Sequence, residues 1–210
     1  MTRSLVILTV AALVLVGSTA PAFAEGFIDF YVGSAMTRDS NVTVRTPAFS
    51  ESERVDWDTS ITAGARFGVW FDRLDWLGLA LDGSFFRPDK DLTVYPVSLL
   101  LMLRVPLLRD DSVPRGRLQP YIAAGPGLFI SHLDGRIPEI GERVEAVSVD
   151  AGLDVRGGLT FMLTKNIGIF GEYRFTHVKP DFGFDILDID SKAKTTFDTH
   201  HVHGGLTFRF

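Results

Sequence analysis

Hydrophobic and polar residues alternate with a period of two along most of the chain beyond residue 25. This alternation is typical of β-strands with one apolar and one polar face, whereas helical periodicity is weak throughout. No linker or repeat divides residues 25–210, so we expect one domain. The pattern predicts an all-β fold with eight strands at residues 27–37, 58–71, 77–86, 93–106, 118–131, 147–163, 167–177 and 199–210.

The two faces of the predicted strands differ in character. One face is apolar and uncharged, as at the alternating positions Val97, Leu99, Leu101 and Leu103. The opposite face is small and polar, and charges of both signs lie on it in the middle of the strands. These charged residues are Asp29, Asp82, Asp150, Asp154, Glu172, Arg66, Arg104, Arg156, Arg174 and Arg209.

The polar face is predicted to line the inside of a narrow barrel, because small residues and paired charges suit its concave side. The uncharged face then contacts lipid, where a charge costs about 2–4 kcal/mol at the midplane. Closure satisfies the backbone hydrogen bonds. We therefore predict an eight-stranded, antiparallel, up-and-down transmembrane β-barrel. A soluble periplasmic barrel with reversed faces is the alternative, and the near absence of lysine from the strands argues against it.

Residues 1–24 have the pattern of a cleaved secretory signal peptide. Arg3 supplies a positive charge, residues 5–16 are an unbroken apolar run, and Ala22-Phe23-Ala24 fits the small-x-small cleavage site. The apolar run is shorter than the roughly 20 residues of a membrane-spanning helix, which disfavours an uncleaved anchor. We expect the mature barrel domain to comprise residues 25–210.

The connections between the predicted strands alternate in length. The connections expected outside the cell are 38–57, 87–92, 132–146 and 178–198, and the periplasmic turns are 72–76, 107–117 and 164–166. Long loops outside and short turns inside are typical of outer-membrane barrels, although 107–117 is longer than this rule predicts. Pro126 lies within a predicted strand, where the missing amide hydrogen predicts a β-bulge.

Composition excludes several kinds of partner and site. The formal net charge is -5 and no lysine- and arginine-rich run is present, so the chain lacks the clustered cations that bind nucleic acid. It has no cysteine, which excludes disulfides, a thiolate nucleophile and cysteine-ligated zinc.

The chain resembles the small eight-stranded outer-membrane barrels of Gram-negative bacteria, of the OmpA/OmpX-like type. The segments that carry this resemblance are 120–125, 152–159, the tight turn 164–166, 171–175 and the terminal 205–210. The resemblance implies a porin-like membrane protein of the bacterial cell outer membrane. It also implies that the barrel assembly machinery recognises the strand ending in Phe210.

The inward charges are the strongest candidate for chemistry. Asp154 and Arg156 are expected to face Glu172 and Arg174 across the turn between the sixth and seventh strands. Such a network can form a gate or a proton path, or it can be a structural plug. An eight-stranded barrel is only wide enough for side chains to fill, which favours the plug. The equal numbers of positive and negative charges also favour it, because they can pair with one another.

Histidines form a second candidate cluster near the chain end. His201 and His203 lie on one strand face, at a spacing that allows two imidazoles to share a metal ion. No third ligand is fixed by the sequence, so we interpret these residues and His200 as rim histidines. We predict no metal-binding, cofactor-binding or catalytic residue.

Two further groups lie near the predicted outer rim. A lipid hydrolase there would need a serine, a histidine and an acid, and Ser131-His132, His177 and Asp198 are the available side chains. No local hydrolase motif accompanies them. The loop acids Asp181, Asp185, Asp188 and Asp190 do not form a calcium-loop motif, and we interpret them as solvated.

The sequence therefore predicts a non-enzymatic outer-membrane protein. Its expected role is membrane integrity, with surface adhesion or interaction through loops 38–57, 132–146 and 178–198. Expected partners are outer-membrane lipid, lipopolysaccharide and an extracellular ligand on the loops. The alternatives are a narrow passage for small or apolar solutes and a rim-located lipid A or phospholipid hydrolase.

The signal peptide and the uncharged face predict where the protein is found. Fractionation of producing cells is expected to place a chain that starts at Glu25 in the outer membrane, as checked by intact mass. Unheated protein is expected to migrate faster than boiled protein in a denaturing gel, because a closed barrel resists unfolding. Release as a soluble protein by osmotic shock contradicts this prediction.

Overall fold

The computed structural model describes residues 24–45, 50–55, 57–136, 143–186 and 189–210. Residues 1–23 lie outside this part of the chain, so the signal peptide stays a prediction. The described strands are β1 (Ala24–Thr37), β2 (Ser40–Arg45), β3 (Ser50–Val55), β4 (Thr59–Phe71), β5 (Leu74–Asp89), β6 (Leu92–Arg104), β7 (Leu118–Arg136), β8 (Arg143–Met162), β9 (Ile167–Val178), β10 (Asp181–Ile186), β11 (Ile189–Lys194) and β12 (Phe197–Arg209).

Eight of these strands form a closed barrel in the order β1-β12-β9-β8-β7-β6-β5-β4. Neighbouring strands are antiparallel, and β1 closes the ring by pairing with both β12 and β4. The predicted fold is therefore confirmed. The strand ends differ by a few residues, and the largest difference is at β7 and β8, which extend into the predicted loop 132–146.

The two ends of the barrel differ, and we name them by their connections. The loop end carries the connections β1–β4, β5–β6, β7–β8 and β9–β12, whereas the turn end carries β4–β5, β6–β7 and β8–β9. At the loop end, β5 and β6 are joined by only two residues, so the predicted loop 87–92 is mostly strand. The other four strands form a separate sheet there, in the order β10-β11-β2-β3, which the sequence did not predict.

Pro126 does not produce the predicted bulge. The β6–β7 ladder has the same offset on both sides of it, from Ser98 opposite Gly127 to Leu101 opposite Ala124. The ladder only lacks the pairs between these positions, where proline has no amide hydrogen to donate. The register instead shifts at Trp70–Phe71 and near Phe86.

The outward surface of the barrel is apolar. Phe30, Leu99, Ile122, Leu159 and Leu206, each from a different strand, are all exposed there. Their polar neighbours along the chain point inward, as the alternation predicted. The outward face therefore has the composition of a surface that contacts lipid.

The inward face is more aromatic than the predicted small and polar surface. Inward glycines make room for these rings: a Cβ on Gly158 would lie 2.6 Å from the Tyr121 ring, and one on Gly78 would lie 2.7 Å from the Trp70 ring. Phe129 has the same relation to Gly152, at 2.6 Å. Glycines and rings on neighbouring strands thus fill the interior together.

The long connection between β6 and β7 folds across the turn end. Asp110 accepts hydrogen bonds from the amides of Ser112 and Val113 and from the Arg117 guanidinium. The Arg117 hydrogen bond, with those amides, lowers the pKa of Asp110. Arg115 then reaches Glu25 of β1 at 3.4 Å, although β1 lies three strands away around the ring. This connection, which is longer than is typical of a periplasmic turn, therefore covers the turn-end opening.

Replacing Gly158 by alanine is expected to destabilise the barrel by about 1–3 kcal/mol, because the added Cβ collides with Tyr121 and with a backbone carbonyl. The adjacent Gly157 faces outward, and a methyl group added there meets no atom within 4 Å, so Gly157→Ala is the matched control. That control is expected to be neutral or slightly stabilising. Urea unfolding of the refolded protein in lipid vesicles measures both; equal losses contradict the inward assignment of Gly158.

Candidate functional site

Ten charged side chains are buried inside the barrel among the described residues, five acids and five arginines. They are Glu25, Asp29, Asp82, Asp154, Glu172, Arg66, Arg104, Arg156, Arg174 and Arg209. Nine of the ten match the prediction. Asp150 lies on the inward face as predicted, opposite Phe129, but it is only half-buried and accepts a hydrogen bond from Ser148, so it is not one of the buried charges. Glu25 takes the place of the fifth acid, because β1 begins earlier than predicted.

Arg66 joins two acids across the middle of the barrel. Its Nε donates to Oδ2 of Asp29 at 2.8 Å, and its Nη1 donates to Oε2 of Glu172 at 2.7 Å. The Tyr121 hydroxyl donates to the same Glu172 oxygen at 2.8 Å. Because Arg66 lies on β4 and Glu172 on β9, three strands apart around the ring, this contact spans the bore.

Arg156 forms the second centre of the network. Its two terminal nitrogens donate to both Asp82 oxygens at 2.9 and 2.7 Å, and Nε donates to Asp154 at 2.9 Å. Arg174 contacts the same Asp154 at 2.8 Å. Arg156 also lies 3.3 Å from Glu172, which connects it to Arg66 and its partners. The predicted facing of residues 154 and 156 with 172 and 174 therefore occurs as diagonal ion pairs.

His201 and His203 are buried in the barrel interior, so their interpretation as rim histidines is wrong. β12 begins at Phe197, and both residues are therefore well inside the ring. His203 Nδ1 lies 3.4 Å from Oε1 of Glu172. His200 points outward, where its Nδ1 lies 2.5 Å from the Tyr173 hydroxyl. Within the described part of the chain, no three histidine or acidic side chains are grouped to hold a metal ion.

A smaller ion pair lies near the turn end. Arg104 donates to Glu25 at 2.7 Å and to the Gln119 side chain at 3.1 Å. Its guanidinium lies 4.3 Å from the centre of the Trp70 ring. The Arg209 guanidinium lies 4.9 Å from the centre of the Phe27 ring and 5.7 Å from that of Trp70. Aromatic faces thus stabilise two arginines beside the opening, as expected for cation–π contacts.

An apolar layer fills the interior at the loop end. Its buried members are Ala35, Phe86, Leu92, Val94, Phe129, Ala146, Val178 and Phe197. Trp57, two residues before the start of β4, packs edge-on against Phe197 with ring centres 5.0 Å apart. Mainly apolar side chains, together with buried polar ones such as Ser131 and Thr199, therefore lie between the charged middle of the barrel and the loops.

The proposed hydrolase residues do not come together. His177 Nδ1 lies 2.5 Å from Oδ1 of Asp198 on the outward face. Ser131, by contrast, points inward and is fully buried, and its neighbour His132 points outward. Consecutive strand residues point to opposite faces, so Ser131 and His132 lie on opposite sides of the wall. The side chains of Asp181, Asp185, Asp188 and Asp190 lie outside the described residues.

A closed ring with an apolar band around its outward surface and a charged, filled interior is the architecture expected of a protein in the outer membrane. The family described as "Outer membrane protein beta-barrel domain" matches residues 9–210. The chain belongs to this family. This membership confirms the resemblance to outer-membrane barrels, and the protein is located in the bacterial outer membrane.

Solved structures of other outer-membrane barrels are similar to this chain. Neisserial surface protein A is 15% identical, with a TM-score of 0.52 over 86% of this chain and 97% of its own. The N-terminal barrel of Pseudomonas aeruginosa OprF is 14% identical, with a TM-score of 0.48 over 89% and 97%. Ail of Yersinia pestis is 15% identical, with a TM-score of 0.44 over 90% and 99%. At such low identity, the likeness to Neisserial surface protein A shows the fold alone.

No curated protein sequence matches the chain. The described residues contain no helix that is long and apolar enough to span a membrane.

The interior is arranged to hold charge in place. Each carboxylate of the central network contacts at least one arginine, and the hydroxyls of Tyr31 and Tyr121 donate to Asp82 and Glu172. Sequence reasoning missed both tyrosines, although Tyr31 has the same inward parity as Asp29 on β1 and Tyr121 has the same inward parity as Ala123 on β7. The arrangement favours a structural plug over a gate.

The Arg156–Asp82 pair is expected to contribute strongly to stability. Asp82→Asn or Arg156→Gln alone is expected to destabilise the barrel by about 3–5 kcal/mol, because each removes one charge from a buried network and leaves the remaining charges unbalanced. The double variant is expected to lose less than the sum of the singles in urea titrations.

Asp75→Asn and Arg109→Gln are the matched control. This pair has a contact of 2.6 Å, but the Arg109 side chain is 53% exposed and the Asp75 side chain is 34% exposed, so its loss is expected to be at most about 1 kcal/mol. Additive losses of that small size at Arg156 and Asp82 contradict their placement in the interior.

Proposed function

We propose that this barrel is a non-enzymatic protein that supports outer-membrane integrity and binds surface partners through its loop end, which faces outside the cell. The observation that carries the proposal is the separate sheet formed at that end. The β2–β3 hairpin and the β10–β11 hairpin come from opposite ends of the chain. They join where β11 pairs with β2, through Ala193 opposite Val44 and its two neighbours.

This loop-end sheet supplies an edge for binding. In the described residues, β3 pairs with β2 on one side and with no strand on the other. An edge strand presents unpaired N–H and C=O groups, which extended peptide segments use to add a strand. Its exposed Arg54 lies 3.4 Å from Asp39, which places a charged side chain beside the edge. These features support a role in surface interaction.

The filled interior argues against the alternative of a solute passage. The central ion pairs span the bore, and the apolar layer around Phe86 and Phe129 lies between them and the loops. Ser131, the candidate nucleophile, faces the interior, whereas His177 and Asp198 lie on the outward face, which argues against the hydrolase alternative. Both observations support a role that is carried by the outer surfaces of the barrel and not by its interior or by catalysis.

The last strand supports a second part of the proposal, recognition by the barrel assembly machinery. Phe210 pairs its backbone with Gly26 of β1, and its ring is exposed on the outward face. The ring is therefore accessible in the folded barrel as well as in the unfolded chain. Its recognition as an assembly signal rests on the family resemblance.

Shortening both loop hairpins separates the two roles. In a strain that lacks the protein, a variant with residues 40–55 and 181–194 replaced by short glycine-serine linkers is expected to restore resistance to vancomycin, which an intact outer membrane excludes. The same variant is expected to lose attachment of cells to an epithelial monolayer. Full attachment by the shortened variant, or clear conductance steps of the complete protein in planar bilayers, contradicts the proposal.

A further inference from the structure

A polar groove lies on the outward surface at the loop end, where β5, β6 and β7 approach the rim. It has a volume of about 530 Å³, which is within the range of small-molecule sites. Its lining residues are Arg87, Lys90, Asp91, Thr93, Tyr95, His132 and Asp134. None of these residues belongs to the interior network or to the loop-end sheet.

The groove presents several donors that are free to bind an anion. The side chains of Arg87 and Lys90 are exposed, and neither forms an ion pair with another described residue. His132 lies edge-on to Tyr95, with ring centres 5.7 Å apart, on the same face. Two cations, an imidazole and a phenol thus converge on one groove. Phosphate oxygens are good acceptors for such charge-assisted hydrogen bonds.

The position of the groove favours a ligand with a lipid tail. Tyr95 is followed on the same outward face of β6 by exposed Val97, and His132 is preceded on the same face of β7 by exposed Leu128. The polar residues of the groove therefore lie next to an apolar part of the outward surface. An amphipathic molecule can place its headgroup in the groove while its acyl chains cover Val97 and Leu128.

Asp91 and Asp134 further restrict which kind of headgroup fits the groove. The amide of Asp134 donates to the backbone oxygen of Asp91 at 2.8 Å, which fixes the two residues side by side. Carboxylates repel a bare phosphate but accept hydrogen bonds from hydroxyl groups. The combination of cations and acids therefore suits a group that carries both phosphate and hydroxyls. We infer that this groove binds the phosphorylated sugar headgroup of a membrane lipid.

Binding of diphosphorylated lipid A to the complete mature protein in detergent micelles tests this inference. Native mass spectrometry measures the bound fraction across a titration, and this readout does not depend on which side of the membrane the loop end faces. The double variant Arg87→Ser, Lys90→Ser is expected to bind about tenfold more weakly or worse, because two charge-assisted contacts are lost. Arg87→Lys is expected to retain most of the affinity.

The control variant Arg38→Ser, Lys179→Ser removes the same charge from exposed positions at the same end of the barrel. It is expected to bind within about twofold of the parent. Faster migration of unheated protein in a denaturing gel shows that each variant is folded. An equal loss in the control overturns the inference, because binding then reflects diffuse charge alone.

Two further probes identify the ligand chemistry. Lipid A without phosphates is expected to bind at least about tenfold more weakly than the diphosphorylated form, and equal binding overturns the role of the phosphate. Inorganic phosphate is expected to displace the lipid only at far higher concentration, because it makes no contact with the apolar surface. Displacement at equal concentrations overturns the assignment to a lipid.

Discussion

Arg156 is removed from water in the middle of the barrel, and it is held there by two carboxylates, Asp82 and Asp154. A buried charge without an opposite partner is strongly destabilising, and Arg66, Arg104, Arg156 and Arg174 each contact an acid on another strand. The forked guanidinium can serve several acids at once, which explains why the buried cations are arginines and not lysines. The ring of eight strands brings these partners within reach of one another.

The sequence predicts which face a residue occupies, because the side-chain period of a strand is two. It therefore predicts the barrel, the apolar band of the exterior and nine of the ten buried charges. It does not predict partners across the bore, since Arg66 and Glu172 lie on strands that are not neighbours. The sequence also does not predict that His203 is buried, because an error of a few residues in a strand end decides whether a side chain lies at the rim or inside the barrel.

A filled interior leaves the surfaces of the barrel to interact with other molecules. The loop-end sheet offers backbone groups along β3, whereas the outward groove offers side chains around Arg87 and Tyr95. These two surfaces differ in chemistry and in neighbourhood, one in water and the other beside the lipid. They can therefore serve different partners without competing, while the interior network maintains the shape of both.

The ion pairs of the interior also constrain how the protein folds. Arg66 and Glu172 are 106 residues apart in the chain, and Asp82 and Arg156 are 74 apart. An incomplete sheet that lacks the later strands leaves Arg66 and Asp82 without these partners, and it has two open edges. Such an intermediate is poorly suited to hydrocarbon, so entry into the bilayer and closure of the ring are expected to proceed together. The charges that stabilise the finished barrel thus act as a barrier to inserting an unfinished one.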